Sequence, residues 1–318
     1  MQLSRIAINI PFIPSSHVTS PYQQAIDQLH SIQDWIRFAA SQFERNDLYY
    51  GHGTDNPWDE AALLVTASLG LSSDLNLQYG SCRLINDEKA LLAERIQRRA
   101  EERIPVAYII NQAWFCGLPF YVDERVLVPR SPLAEMIQNR VSPWMDGREP
   151  VRVLDLCCGS GCIGIAALQA FPDAQLDLAD LSRDALDVAE INIDSHNLWD
   201  QVAAIESDLF DNLTPGYDLI LSNPPYVDAE DLADMPAEYH HEPEMGLGSG
   251  ADGLDITRKI LANAAQYLNP KGVLVVEVGN SWIHLQANYP DAPFTWVEFE
   301  NGGDGVFVFT KEQLETYF

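Results

Sequence analysis

The residue types with the most direct bearing on chemistry are in the string Asn223-Pro224-Pro225-Tyr226. Consecutive prolines disfavour helix and sheet and remove two N–H donors, so this loop is stiff and rich in acceptors. That combination suits a planar NH2 group, an amide or aryl amine, whose delocalised lone pair makes it a poor nucleophile. The Asn223 side-chain oxygen and the Pro224 carbonyl can accept its two N–H bonds, while the Tyr226 ring stacks on its face. Such a nitrogen needs positioning against an alkyl donor more than it needs a strong base. Taken alone, the string is also what an ordinary proline-rich turn looks like. Its weight comes from what lies upstream.

Upstream stands Asp155-Leu156-Cys157-Cys158-Gly159-Ser160-Gly161-Cys162-Ile163-Gly164, at a strand-to-helix turn. Glycines there let backbone approach a ligand, and a helix N-terminus offers free N–H groups. The string also satisfies the dinucleotide pattern GxGxxG, so S-adenosylmethionine and NAD must be weighed against each other. Asp155 is expected to reach the cationic amino group of S-adenosylmethionine, and it would repel a pyrophosphate. Asp180 ends the next strand, where it can accept both ribose hydroxyls, as acids in NAD enzymes also do. Asp208, in Ser207-Asp208-Leu209-Phe210, is expected at the adenine amino group. Cys157, Gly159 and Gly161 complete the cofactor loop, and Asn223 borders cofactor and target alike. The bland alternatives are a helix cap for Asp155, a solvated strand end for Asp180 and a common loop start for Asp208. Cys157, Cys158 and Cys162 invite a metal, but adjacent cysteines point different ways and no CxxC or HExxH exists. Small side chains at a tight turn are the better account, and no metal is expected.

Elements that would hold these residues follow from periodicity. Residues 22–43 place Ala25, Leu29, Ile32, Ile36 and Ala39 at helical steps. Further helices are predicted over 58–69 and over 86–103, with Asn86 as N-cap and Pro105 as the stop. On the latter, Arg95, Arg98, Arg99 and Arg103 share a face expected to be solvated, with contact to RNA or an acidic partner as the alternative. A hairpin is predicted around Asp123-Glu124, then a helix over 133–141 and a linker over 142–150. From Val151 strands and helices alternate, ending in a hairpin over 294–309. This predicts an α/β fold, a mostly parallel sheet with helices on both faces.

Composition sets the limits. At 318 residues and 47% hydrophobic content, two folded units with real cores are expected. There is no run of 18 apolar residues, and Met1-Gln2-Leu3-Ser4-Arg5 lacks a basic head before an apolar signal core. Five cysteines, an odd number, form no disulfide framework and suit a reducing cytoplasm. Net charge is −28, and its distribution is uneven: residues 131–318 hold 8 basic against 32 acidic residues. Between Arg183 and Arg258 there is no Lys or Arg, yet 18 acids. That surface repels phosphate backbones and attracts cationic partners, although solubility or habitat also favours acidity.

In chain order, the glycine loop, Asp180, Asp208 and the Asn223 loop resemble those of the protein N5-glutamine methyltransferases, over about residues 20–310. The run Tyr50-Gly51-His52-Gly53-Thr54-Asp55-Asn56-Pro57-Trp58-Asp59-Glu60-Ala61 is similar to the branch acting on large-subunit ribosomal protein three. So are Leu127-Val128-Pro129-Arg130-Ser131-Pro132 and Glu238-Tyr239-His240-His241-Glu242-Pro243-Glu244. The resemblance implies a Rossmann-like class I S-adenosylmethionine-dependent methyltransferase domain over 151–318. It also implies a helical substrate-recognition domain over 1–105, with a β-hairpin and linker over 106–150 between them. Asn223, Pro224 and Tyr226 would be catalytic, and S-adenosylmethionine the cofactor. The partner would be a basic ribosomal protein, free or in an assembling particle, with no membrane and no direct nucleic-acid binding. Three other readings compete. The sister branch modifies release factors, and adenine-N6 nucleic-acid methyltransferases use the same loop but need a cationic track that 184–257 lacks. A binding factor that merely retains the fold would have no use for an intact Asn223 loop.

Overall fold

The structure, a computed structural model, describes residues 20–72, 77–145 and 147–318. The N-terminal signal reading therefore lies outside the described residues, as does Asp146 of the expected linker.

Five helices open the chain: α1 (Pro21–Gln28), α2 (Ile32–Arg45), α3 (Pro57–Ser68), α4 (Asn86–Glu102) and α5 (Val106–Ile110). The single helix predicted over 22–43 is two. Ser31 and Asp34 form a reciprocal capping box, Ser31 N–H donating to Asp34 at 3.0 Å and Asp34 N–H to Ser31 Oγ at 3.2 Å, and this restarts the helix. Asn86 is the first helical residue of α4 rather than its cap, because Glu88 reaches back to the Ile85 N–H at 2.9 Å. Trp35, Phe43, Leu64, Leu92 and Ile96 are fully buried in the core these helices share.

The hairpin lies earlier than predicted. Strands β1 (Ala113–Phe115) and β2 (Leu118–Phe120) pair antiparallel across Cys116-Gly117, both at positive φ as a two-residue turn requires. Asp123 instead folds onto Arg125, accepting from its Nε at 2.8 Å and its Nη2 at 2.6 Å. Residues 125–128 are irregular. Helix α6 (Leu133–Gln138) stops short of Val141, since Arg140 and Val141 both turn to positive φ.

The remainder alternates as expected: β3 (Arg152–Leu156), α7 (Cys162–Ala170), β4 (Gln175–Asp180), α8 (Arg183–Ser195), β5 (Val202–Glu206), β6 (Tyr217–Ser222), α9 (Ala229–Ala233), α10 (Asp255–Tyr267), β7 (Leu268–Glu277), α11 (Trp282–Asn288), β8 (Thr295–Trp296), β9 (Val306–Thr310) and α12 (Lys311–Tyr317). The sheet order is β5-β4-β3-β6-β7-β9-β8, parallel through β7 and antiparallel on either side of β9. This is the α/β sheet that the alternation predicted. Consecutive strands leave β3 in opposite directions, to β4 on one side and to β6 on the other. Such a switch point opens a crevice beyond the strand ends. Val122, Val126 and Val128 of the irregular segment pack on Ala185 and Val188 of α8, and so bring the first half of the chain to that crevice.

The arginine face of α4 is not solvated. Arg99 is 1% exposed and donates to Glu60 through Nε at 2.9 Å and to the Tyr49 carbonyl at 2.9 Å. Arg103 donates to Glu238 at 2.9 Å, and Arg95 to Ser68 at 2.9 Å. Glu238, fully buried, also accepts the Tyr49 N–H at 3.0 Å. Through Arg99 and Arg103, this face joins the helical half to the segment after β6. Removing one partner of a buried ion cluster leaves charge without compensation. Arg99→Met, which strands Glu60, is expected to lose about 3–5 kcal/mol of stability, read as a drop in the urea midpoint.

Candidate active site

A cavity of about 550 Å³ occupies the crevice at the strand ends. Of the residues singled out by sequence, Cys157, Gly159, Asp180, Asp208, Asn223, Pro224 and Tyr226 line it. Asp155 and Gly161 do not.

Asp155 stands apart from the cavity lining. Strand alternation turns its side chain to the same side as Val153, beneath α7, while Leu154 and Leu156 face the other core. There it is fully buried and accepts the Gly164 N–H at 2.7 Å. A Cβ on Gly164 would come within 2.9 Å of the Asp155 Cβ, so this close approach requires glycine. Burial pushes the Asp155 carboxyl up to about 7. One Asp155 oxygen thus secures the first turn of α7, while the other has no hydrogen-bond partner among the described residues. Gly161 is also structural: it takes φ +76° at the start of α7, where a Cβ would lie 2.8 Å from Leu178.

The loop is stitched to its neighbours. Asp180 accepts the Gly159 N–H at 2.8 Å and the Ser182 N–H at 2.9 Å, one on each oxygen. A carboxylate has about four acceptor positions, so two remain for hydroxyls in the cavity. Cys158 N–H donates to the Ala179 carbonyl at 3.0 Å. Asn192 of α8, wholly buried, donates to the Ser160 and Tyr121 carbonyls at 2.9 and 3.1 Å, and accepts from Tyr121 N–H at 2.7 Å. Sequence reading passed over Asn192, whose only signal was an amide amid the apolar positions of α8. The three cysteines 157, 158 and 162 are unpaired, and burial raises all three thiols. Among the described residues no cluster of His, Cys, Asp or Glu suited to a metal is found.

At the other end, Ser222 Oγ donates to the Leu156 carbonyl at 2.7 Å and levels the tip of β6 with β3. Asn223 follows directly. No described residue hydrogen bonds to its side chain or to the Pro224 carbonyl, so both acceptors are available at the cavity wall. Tyr226 donates to Glu277 at 2.9 Å, and Ser281 Oγ holds its carbonyl at 2.7 Å.

The opposite wall belongs to residues that sequence reading quoted but gave no task. Arg130 chelates Glu242, with Nη1 to Oε1 at 2.6 Å and Nη2 to Oε2 at 2.5 Å, and Glu242 also takes the Val128 N–H at 2.9 Å. Burial works to raise the Glu242 carboxyl, but Arg130 and His52 outweigh it and bring it down to about 2. The Tyr239 ring lies under the Arg130 guanidinium at 5.1 Å and beside the His52 ring at 4.7 Å. Three separated strings, around His52, Arg130 and Glu242, therefore meet at one place.

Charge on the walls narrows the ligand. Two guanidiniums line the cavity, and both are engaged, Arg125 by Asp123 and Arg130 by Glu242. Asp180, Asp208 and Asp231 are left facing it. A pyrophosphate or nucleic-acid backbone would meet repulsion there, whereas a cationic ligand with hydroxyls and an amino group fits the donors and acceptors present.

The raised carboxyls have a consequence for pH. A carboxyl at about 3.9 in the unfolded chain and about 7 in the folded one holds its proton longer when folded. Stability from Asp155 is thus fullest at low pH and declines as pH rises from about 4 to about 7. Asp155→Asn removes that slope. Its urea midpoint should gain on that of the natural protein between pH 4.5 and 7.5, and parallel midpoints would contradict a perturbed Asp155.

The Methyltransferase small domain family matches residues 139–238. The ribosomal protein uL3 glutamine methyltransferase of Neisseria gonorrhoeae is 51% identical over 295 residues, 92% of this chain and 98% of that protein. The protein of the same name from Francisella tularensis is 48% identical over 297 residues, 93% of this chain and 95% of that protein. Among solved structures, the hMettl16 catalytic domain in complex with an RNA hairpin aligns at TM-score 0.49 and 17% identity. The alignment covers 75% of this chain and 87% of that one. With the glycine loop, the Asn223 loop and nearly full-length identity near one half in agreement, this chain belongs to the family of ribosomal protein uL3 glutamine methyltransferases.

Proposed function

We propose that the protein transfers a methyl group from S-adenosylmethionine to the side-chain amide nitrogen of a glutamine in ribosomal protein uL3, in the cytoplasm. The observation that carries the chemistry is Asn223, a half-buried amide with no partner among the described residues, at the end of the central strand beside the cofactor loop. When bound, S-adenosylmethionine supplies a methyl group on a positive sulfur that keeps the bonding electrons as the methyl departs.

The residues then divide the work. Asp180 offers its two remaining acceptor positions to the ribose hydroxyls, and Asp208 accepts from the adenine amino group. Cys157 and Gly159 bring backbone close to the ligand at the turn. Asn223 Oδ1 and the Pro224 carbonyl accept the two N–H bonds of the target amide and turn its nitrogen toward the methyl. Polarising both N–H bonds localises electron density on nitrogen as the new bond forms. Tyr226 lies against the amide plane. The proton released on alkylation leaves to water, so no histidine base is needed.

Substrate choice rests on identity over the helical half as well as the catalytic half. Ribosomal proteins are basic, and Asp231, Glu230 and Asp234 sit exposed or half-exposed on the segment that follows the Asn223 loop. A cationic, extended stretch of substrate would be drawn there.

Incubation with labelled S-adenosylmethionine and unmethylated uL3 or a release factor, followed by mass spectrometry, tests the assignment. Label on a uL3 glutamine amide alone is expected, and label on the release factor alone would place the chain's activity in the sister branch. Asn223→Ala should lower turnover by on the order of 10²–10³-fold with S-adenosylmethionine still bound in calorimetry; persistence of turnover would remove the mechanism. Raising salt from 50 to 500 mM should slow association of uL3, and a flat rate would remove the steering.

A further inference from the structure

Glu277 does not line the cavity. It ends β7, is 4% exposed and receives two hydroxyls from opposite walls. Ser131 Oγ donates to its Oε2 at 2.5 Å, and the Tyr226 phenol donates to its Oε1 at 2.9 Å. Ser131 belongs to the segment that Glu242 holds through Val128 and Arg130. Tyr226 belongs to the Asn223 loop. The other restraints on Tyr226 leave its position along the ring axis to Glu277. Ser281 fixes its carbonyl at 2.7 Å, and the backbone of Gly279 lies so close to the ring that a Cβ there would stand 2.5 Å from it.

We infer that Glu277 is a positioning residue for methyl transfer, setting the Tyr226 ring against the target amide and coupling it to the wall formed by 128–131. This rests on Tyr226 as the target-facing wall. A buried acid with only two hydroxyl donors and one nearby guanidinium, Arg130, is costly to keep for packing alone. An apolar side chain of the same length would fill the space at lower cost. What it could not do is hold two phenolic and alcoholic hydroxyls from different loops at a fixed spacing. Misplacement of a contacting group by about 1 Å costs on the order of 10²-fold in rate.

The test uses Glu277→Met, Tyr226→Phe, the double variant and Glu277→Gln, which keeps one acceptor. Glu277→Met should lower kcat on the order of 10²-fold, with KM for uL3 and the Kd for S-adenosylmethionine within about twofold of the natural protein. Because Glu277 acts through the phenol, the double variant should be no worse than the poorer single one. Glu277→Gln should recover part of the loss. Multiplying losses in the double variant, full activity of Glu277→Met, or a defect confined to S-adenosylmethionine affinity would each overturn the inference. If Glu277→Met does not fold, Ser131→Ala and Glu277→Gln carry the same cycle with Tyr226→Phe. Should the natural protein leave uL3 unmodified, the proposed function falls and Glu277 is judged separately by NMR of ¹³C-tyrosine-labelled protein. The Tyr226 ring should flip slowly in the natural protein, fast in Glu277→Met and at an intermediate rate in Glu277→Gln, and unchanged ring signals in Glu277→Met would overturn the role.

Discussion

A carboxylate taken out of water needs donors, and this chain has 47 acidic residues for 19 basic ones. The arrangement of the molecule follows from how its few buried acids are compensated. Glu238 and Glu242 come from a stretch with no lysine or arginine of its own. They reach back to Arg103, Arg99 and Arg130, all from the first 130 residues. The pairing makes the two halves one structure and fixes the segment after the Asn223 loop against the helical half. Asp155 and Glu277 have no such cation in direct contact, and burial holds both carboxyls near 7.

The cavity inherits its character from the same economy. Once Arg125 and Arg130 are engaged, its walls offer acids, amide oxygens and backbone. Such a surface favours a cationic cofactor and a basic polypeptide and disfavours phosphate. Residues 184–257 carry no base, and the two guanidiniums that line the cavity are already paired. An amide target also suits an acceptor-rich loop, because both of its N–H bonds must be turned to acceptors before the nitrogen can face the donor.

The glycine loop shows how tightly local and long-range demands are combined. Gly164 admits Asp155, Gly161 admits Leu178, and Asp180 and Asn192 tie the loop to the second strand and its helix. Within the string 155–164, Asp155, Gly161 and Gly164 brace the backbone that lines the cavity.

Sequence by itself determined the alternation of strands and helices, because a period change from 2 to 3.6 is local and reads directly. It also singled out the loop proposed to accept an NH2 group, because stiffness, acceptor count and an amide side chain all lie within four consecutive residues. Only tertiary structure decided what surrounds Asp155, Arg99 and Glu277. Asp155 and Glu277 are both acids at strand ends, and which face the pleat turns each one to depends on register and on the helix lying above. Arg99 stands on a face with the periodicity of a solvated one, and nothing within α4 reveals that Glu60 and Glu238 will close over it. A charge pair between residues 139 positions apart has no signature in the chain, since it exists only once two distant segments are pressed together and water is excluded between them.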